Sequence, residues 1–323
     1  MLRYIAKRFG SSVLVLFAIS VLVFLIFFAT PGVDPAARIA GKNADPATLA
    51  QVRASFGLDD PLPVQYAMMM KNLFITQDLT SFVNRGMRVI PQIMDAIPIT
   101  LSLVVGAAVI WMVLGVAMGT LAGAMRGTLV DPLVMLIGVF GVSLPVYWLG
   151  EVVNLITQKE LHDSVFSWVP PLGYVSFTES PAQWALHLLF PWLTLALLYA
   201  GIYARLLRGE LINALNEDYV RTARMKGISA RRILRKHALR CSLIPIVSLF
   251  GLDFGALVGG AALLTEVVFG LPGVGKLTYQ ALQSLDLPVI MGTVLYAAFF
   301  VVLANAVVDV LYARLDPRVR HAA

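Results

Sequence analysis

Apolar runs of about twenty residues recur along this 323-residue chain, and they limit the fold more than any other feature. A helix of that length crosses a bilayer while satisfying every backbone N–H and C=O within itself. Charged residues make up only 14% of the chain, against about 25% in soluble domains, and they fall between the runs. Six spans are predicted: Phe9–Thr30 and, approximately, Ile97–Ala124, Asp131–Thr157, Trp184–Leu206, Leu243–Val267 and Pro288–Tyr312. The expected fold is an all-α membrane protein. Residues 1–30 hold the N-terminal segment and first helix, 31–97 a small extracytoplasmic helical insert, and 98–323 a five-helix core with a cytoplasmic loop at 207–241. The first run resembles a signal peptide at its start. It is long enough to span, and no small-x-small cleavage pattern precedes Pro31, so it reads as a retained helix.

Six spans put both termini on one side, and basic residues decide which side that is. The N-terminal face carries seventeen of the twenty-five lysines and arginines. Both termini are therefore expected in the cytoplasm and residues 31–97 outside.

The longest charged island is Glu217–Arg240, EDYVRTARMKGISARRILRKHALR. It reads as two short helices with a hinge. Tyr219, Val220 and Ala223 share one face of the first, while Arg221 and Arg224 point elsewhere. Gly227 suits the left-handed position that ends a helix, and Ser229 suits the next N-cap. Ile228 and Ile233 fall at the two positions of a hydrophobic staple. Such an island on a membrane protein is a docking surface, a lipid anchor or a topology signal. Membrane segments at both its ends speak against nucleic-acid binding.

In the insert, Asp45-Pro46 reads as an N-cap with proline at the first helical position, opening a helix that stops at Gly57. A second helical pattern covers Val64–Phe74. The insert is a cap on the bundle or a docking surface for an external partner. In the second span, Gly115, Gly119 and Gly123 form a small-xxx-small ladder that permits close helix packing. Pro145 should kink the third span.

Gly270–Lys276 matches the start of a phosphate-binding loop, but Leu277 stands where Ser or Thr would hold Mg²⁺. The topology also turns it away from cytoplasmic ATP. It reads as a glycine-rich turn or a loop reaching toward a substrate path. No enzymatic constellation emerges. The four histidines are scattered, the single Cys241 excludes an intrachain disulfide, and no metal-ligand spacing appears. Intramembrane acids default to a functional hypothesis. Glu151, Asp253 and Glu266, with Asn154 beside the first, are candidates to line a translocation path and attract a cationic group such as a peptide amino terminus. The alternative is that Asp253 only pairs with a hydroxyl or backbone group. Glu266 and Asp309 lie near span ends, where a carboxylate can reach water.

Asp218–Ser229 followed by His237–Arg240 resembles the cytoplasmic "EAA" loop of binding-protein-dependent ABC importers, in the form found in dipeptide, oligopeptide and nickel permeases. Phe56–Tyr66, Thr265–Gly275 and the Leu-Asp-Pro-Arg ending at 315–318 agree with it. The external segment after the first span suits the first of the two permease subunits. The resemblance implies the type I importer permease fold and an ATP-driven inward transporter of peptides in the bacterial cytoplasmic membrane. The implied partners are a second permease subunit in a heterodimer, two cytoplasmic ATPase subunits that use ATP and Mg²⁺, and an extracytoplasmic substrate-binding protein. This chain itself is expected to bind no cofactor and to hydrolyse nothing. Asp218, Tyr219, Arg221, Thr222, Ala223, Lys226 and Gly227 would couple it to an ATPase subunit. Pro272, Gly273 and Gly275 are candidates for external contact.

Two departures stand out. Arg221, Thr222 and Ala223 occupy the Glu-Ala-Ala positions, as in the peptide-permease variant. Where the resemblance implies that the insert's second helix ends in a Gly-Asp-Leu-Gly-type turn, the chain reads Thr76-Gln77-Asp78-Leu79-Thr80. The same permease carrying nickel chelates or haem is an open alternative. So is a proton-coupled secondary transporter using Glu151, Asp253 and Asp309, although it would need no docking island of this size.

Overall fold

The computed structural model describes residues 2–29, 34–40, 45–81, 83 and 87–315. Among them the chain is helical, with one isolated antiparallel bridge between Thr80 and Arg88. Helix α1 (Leu2–Phe28) leads to the insert, formed by α2 (Pro35–Ala40), α3 (Pro46–Phe56) and α4 (Leu62–Met70), the last ending in a π turn at Lys71–Ile75. Then follow α5 (Val89–Ala124), α6 (Val130–Ser143), α7 (Val146–Leu155), α8 (Pro181–Asn216), α9 (Asp218–Met225), α10 (Ala230–Ile233) and α11 (Leu239–Ala256). Helices α12 (Leu263–Val268), α13 (Val274–Ser284) and α14 (Leu287–Leu315) complete the description. Residues 316–318 of the Leu-Asp-Pro-Arg ending and the side chain of Asp309 lie outside the described residues.

Five helical segments are long and apolar enough to cross a bilayer: 8–28, 89–124, 181–216, 230–261 and 287–308. The third predicted span differs. Instead of one kinked helix, α6 and α7 meet at 94°. Leu144, which precedes proline, is extended at ψ 129°, because the proline ring disfavours helical geometry in the residue before it. Pro145 then opens α7 rather than bending α6.

The pair still carries the chain across the membrane. A Cβ on Gly106 would meet Trp192, on Gly115 Tyr203, on Gly119 Ala204 and Leu207, and on Gly123 Leu211. The contacts climb together, so α5 and α8 run parallel. The connection from the end of α5 to the start of α8 must therefore return across the bundle. That gives six crossings.

The predicted glycine ladder thus seats α8 within this chain. Gly119 is closed off by the Ala204 carbonyl oxygen at 2.8 Å and Leu207 Cβ at 2.9 Å from where its Cβ would lie. Gly119→Leu is expected to separate the two helices and abolish accumulation of intact protein in the membrane, read by detergent-resistant folded yield. A second ladder, Gly251, Gly255 and Gly259, meets Val308, Ala304 and Val301, so α11 and α14 are antiparallel. Gly260, directly after this ladder, has a φ of 120° and breaks the helix there.

Two apolar cores result. One joins α5, α8 and α11 around Leu103, Trp111, Tyr203 and Leu207. The other joins the end of α1, the insert, α13 and the start of α14 around Phe24, Phe28, Phe56, Leu79, Val274 and Met291. The insert is therefore packed onto the bundle. Tyr66 bonds Ser20 of α1 at 2.7 Å and sits edge-on to Phe17 and Phe24. Asp45 caps α3 through the Thr48 N–H at 3.0 Å, and Gly57 ends it in the left-handed region at φ 60°. Gln77, just after the π turn that ends α4, also has positive φ, at 54°. A side chain there costs about 1 kcal/mol, so Gln77→Gly is expected to leave the melting temperature unchanged or raise it.

Candidate functional site

Helix α9 lies at the end of the bundle shared by the N-terminal end of α1 and the C-terminal ends of α5, α8 and α14. Two features hold it there. Val220 and Ala223 are buried against Ile233, with Leu215 and Ile228 packed around them. The helix closes in a Schellman motif, with the Ile228 N–H bonding the Ala223 carbonyl at 3.2 Å and the Gly227 N–H bonding the Arg224 carbonyl at 2.9 Å. Gly227 has φ 73°, the left-handed conformation anticipated for it. Ile228 and Ile233 do meet in this small core. Ser229 occupies the N-cap position, yet its hydroxyl makes no capping bond.

The second half of the island is not a separate short helix. Helix α10 passes through a π turn at Leu234–Ala238 directly into α11, so the hinge at Gly227 attaches α9 to the base of a transmembrane span. Tyr219 does not share the buried face; it is 42% exposed, and Met225 at the tip is 76% exposed. Burial and contact with Cys241 raise the pKa of the Tyr219 phenol. Asp218, Arg221, Thr222, Arg224 and Lys226 are all exposed, which gives α9 one greasy anchor face and one basic outer face.

At this same end, Arg208 of α8 forms a bidentate pair with Asp131 of α6 at 2.5 and 2.7 Å. The sequence showed Arg208 only as a basic residue in the topology count. Arg208→Ala leaves the Asp131 carboxylate without this partner and is expected to lower the melting temperature of the purified protein.

The four candidates for a path separate. Glu151 is exposed on α7. Asp253 on α11 is half-buried and accepts a hydrogen bond from Tyr203 Oη at 2.9 Å. The Tyr203 ring belongs to an aromatic cluster in which Trp111 lies 4.8 Å from Tyr199, 6.1 Å from Tyr203 and 5.7 Å from Phe250. Tyr203→Phe removes the donor and should cost about 1 kcal/mol of stability, read by thermal melting. Asn154 turns inward instead, and its Nδ2 donates to the Val268 carbonyl at 2.9 Å, tying α7 to α12.

Glu266 does not line an open surface. It is 0% exposed. Its Oε1 accepts from Thr100 Oγ1 at 2.7 Å and its Oε2 from the Lys276 N–H at 3.0 Å. The Gly275 N–H donates as well. Burial lifts its pKa to about 7, and the donors and Lys276 restrain that rise. The resemblance of Gly270–Lys276 to a phosphate loop now has a physical explanation. Backbone N–H groups at the start of α13 do surround an anion, but the anion is the chain's own carboxylate. A Cβ on Gly273 would lie 2.4 Å from the Glu266 carboxyl carbon, and one on Gly275 would lie 2.5 Å from Leu263 Cα. Lys276 Nζ bonds the Gly270 carbonyl at 3.0 Å. Of the three candidate contact residues in this loop, Pro272 is exposed, whereas Gly273 and Gly275 are buried.

Comparison with known proteins agrees with this architecture. The family described as "Binding-protein-dependent transport system inner membrane component" matches residues 112–321, and its N-terminal counterpart matches residues 1–104. A putative peptide transport system permease protein of Brucella abortus (strain 2308) is 37% identical over 321 residues, covering 99% of this chain and 100% of that protein. The glutathione transport system permease protein GsiC of Escherichia coli (strain K12) is also 37% identical over 321 residues, with the same coverage. A probable peptide ABC transporter permease protein of Sinorhizobium fredii (strain NBRC 101917 / NGR234) is 34% identical, covering 98% of this chain and 99% of its own. The chain belongs to the binding-protein-dependent transport system inner membrane component family. It is a multi-pass permease subunit of an ABC importer, it resides in an inner membrane, and it is not itself the catalytic component.

Proposed function

We propose that this permease imports short peptides and that α9 couples it to a cytoplasmic ATPase subunit. The observation that carries the coupling is the exposed basic face of α9, anchored by Val220, Ala223 and Ile233 and joined to a transmembrane span through Gly227. A small rigid helix on a glycine hinge converts a push from a partner into tilting of the span behind it. ATP and Mg²⁺ would be used by two ATPase subunits, a second permease subunit would complete the path, and an external binding protein would deliver substrate to the outer face. The basic face and both termini would then be cytoplasmic.

The peptide assignment is supported by the names of the relatives, two described as peptide permeases and one as a glutathione permease. Asp253 and Glu151 would present carboxylates to an incoming amino group, with Tyr203 holding the former in place. The test is uptake of labelled di- and tripeptides, including glutathione, by cells with and without this gene. Uptake lost on deletion and restored by the wild-type gene supports the proposal. Unchanged peptide uptake together with loss of nickel or haem acquisition would assign the cargo to those classes instead.

A further inference from the structure

The outer end of the molecule contains a second buried carboxylate, and it pairs with a segment far away in the chain. Asp286, between α13 and α14, is 1% exposed and accepts a hydrogen bond from Ser81 Oγ of the insert. The Val289 N–H also bonds it, so it caps α14. Glu266 and Asp286 thus bracket α13 at its two ends. Thr100 of α5 grips the first and Ser81 of the insert grips the second. Thr100 also accepts from the Val274 N–H at 2.9 Å, so one hydroxyl joins α5, α12 and α13. The apolar core runs on without interruption from Ile39, Phe56 and Leu79 of the insert to Val274, Ala281 and Ile290.

Upstream the connection is of another kind. Residue Gly260, at φ 120°, separates α11 from α12, and its missing Cβ would face open space. Few residues other than glycine adopt that conformation, so the chain changes direction there. Beyond it α12 is fixed by Asn154 and by the Glu266 bonds.

We propose that α13 is a strut clamped at both ends, with Glu266 and Asp286 as its positioning residues, so that the insert and the segment beyond Gly260 move as one body and pivot there. A load on the outer insert would pass through Ser81 and Asp286 into α13, and through Glu266 to Thr100 of α5. Each clamp holds because a buried carboxylate deprived of its donors is costly. The strut itself is independent of cargo; its place in transport rests on the importer reading above.

The test uses the full chain in its native complex in nanodiscs, with Cys241→Ser and nitroxides on exposed positions. The pair Thr76 and Gln283 reports insert against strut, and Met94 and Gln283 reports α5 against strut. Both distance distributions should be narrow. Asp286→Ala should broaden the first about twofold and Glu266→Ala the second, each without the other, as expected for separate clamps. Ser81→Ala and Thr100→Val remove the donors and leave the carboxylates, so they serve where the acid variants do not accumulate. Widths unchanged in all four variants would overturn the strut. With ATP and vanadate, the Thr76–Gln283 distance should stay fixed while a Gln283–Asn213 pair shifts. A Thr76–Gln283 distance that shifts equally would also overturn it. Were no pair to respond to ATP, the importer reading would fail, and the variant widths would still decide the strut.

Discussion

Gly227→Pro is expected to lower ATP-driven uptake by about 100-fold while leaving the protein in the membrane. Proline fixes φ near −65°, whereas residue 227 requires 73°. Proline also removes the N–H that bonds the Arg224 carbonyl at 2.9 Å. Both losses fall on the joint between α9 and the fifth span, so α9 would leave its small core of Val220, Ala223 and Ile233. The bundle cores lie elsewhere and should survive, which separates uncoupling from unfolding. Gly227→Asn is the control, because asparagine tolerates the left-handed region. It should keep most of the uptake. The check is ATP-dependent uptake in proteoliposomes, beside the melting temperature of each variant. Equal uptake in the proline variant and wild type would remove α9 from the coupling path.

Gly273→Ala is expected to destabilise the half of the molecule that holds the insert by about 3 kcal/mol. The added methyl would stand 2.4 Å from the Glu266 carboxyl carbon, and that carboxylate has no free space because it is fully buried. Either the carboxylate leaves its donors or α13 moves off α5. The same group gives the fold a pH dependence. Its pKa rises from 4.5 to about 7 on burial. Between those values the folded protein holds a proton that the unfolded chain releases, so stability is greatest below about pH 4.5 and declines as pH rises toward 7. The contribution is on the order of 3 kcal/mol. Glu266→Gln should flatten that part of the profile, measured by melting between pH 5 and 8. A profile with the same slope in the variant would show that another group carries it.

Much of this was legible before the fold was in view, for identifiable reasons. Gly227 and Gly57 announced left-handed helix ends because few other residues adopt that conformation readily. Asp45-Pro46 announced a helix start. Apolar length announced the spans, since the bilayer imposes it. What escaped was longer in range. The right-angle break at Leu144-Pro145 looked like a kink, because sequence shows the proline but not whether its predecessor stays helical. Asn154, Glu266, Gly273 and Gly275 looked like path or contact residues, because a polar residue or glycine in an apolar setting has the same signature whether it faces a substrate or a neighbouring helix. Only the pairings with Val268, Thr100 and Lys276 tell them apart. Asp286 and Ser81 carried no local pattern at all; 205 positions separate them. The ladder of Gly251, Gly255 and Gly259 also carries the small-xxx-small signal, but that its partner is α14 shows only in the fold.

In the proposed function this chain works as the membrane path of an ATP-driven importer through α9. The most direct test is purification of the tagged chain from its native membrane, with ATPase activity measured on what comes with it. A second permease subunit and ATPase chains are expected in the complex, with hydrolysis stimulated by an external binding protein. A chain that purifies alone and moves substrate on a proton gradient, with no dependence on ATP, would contradict it.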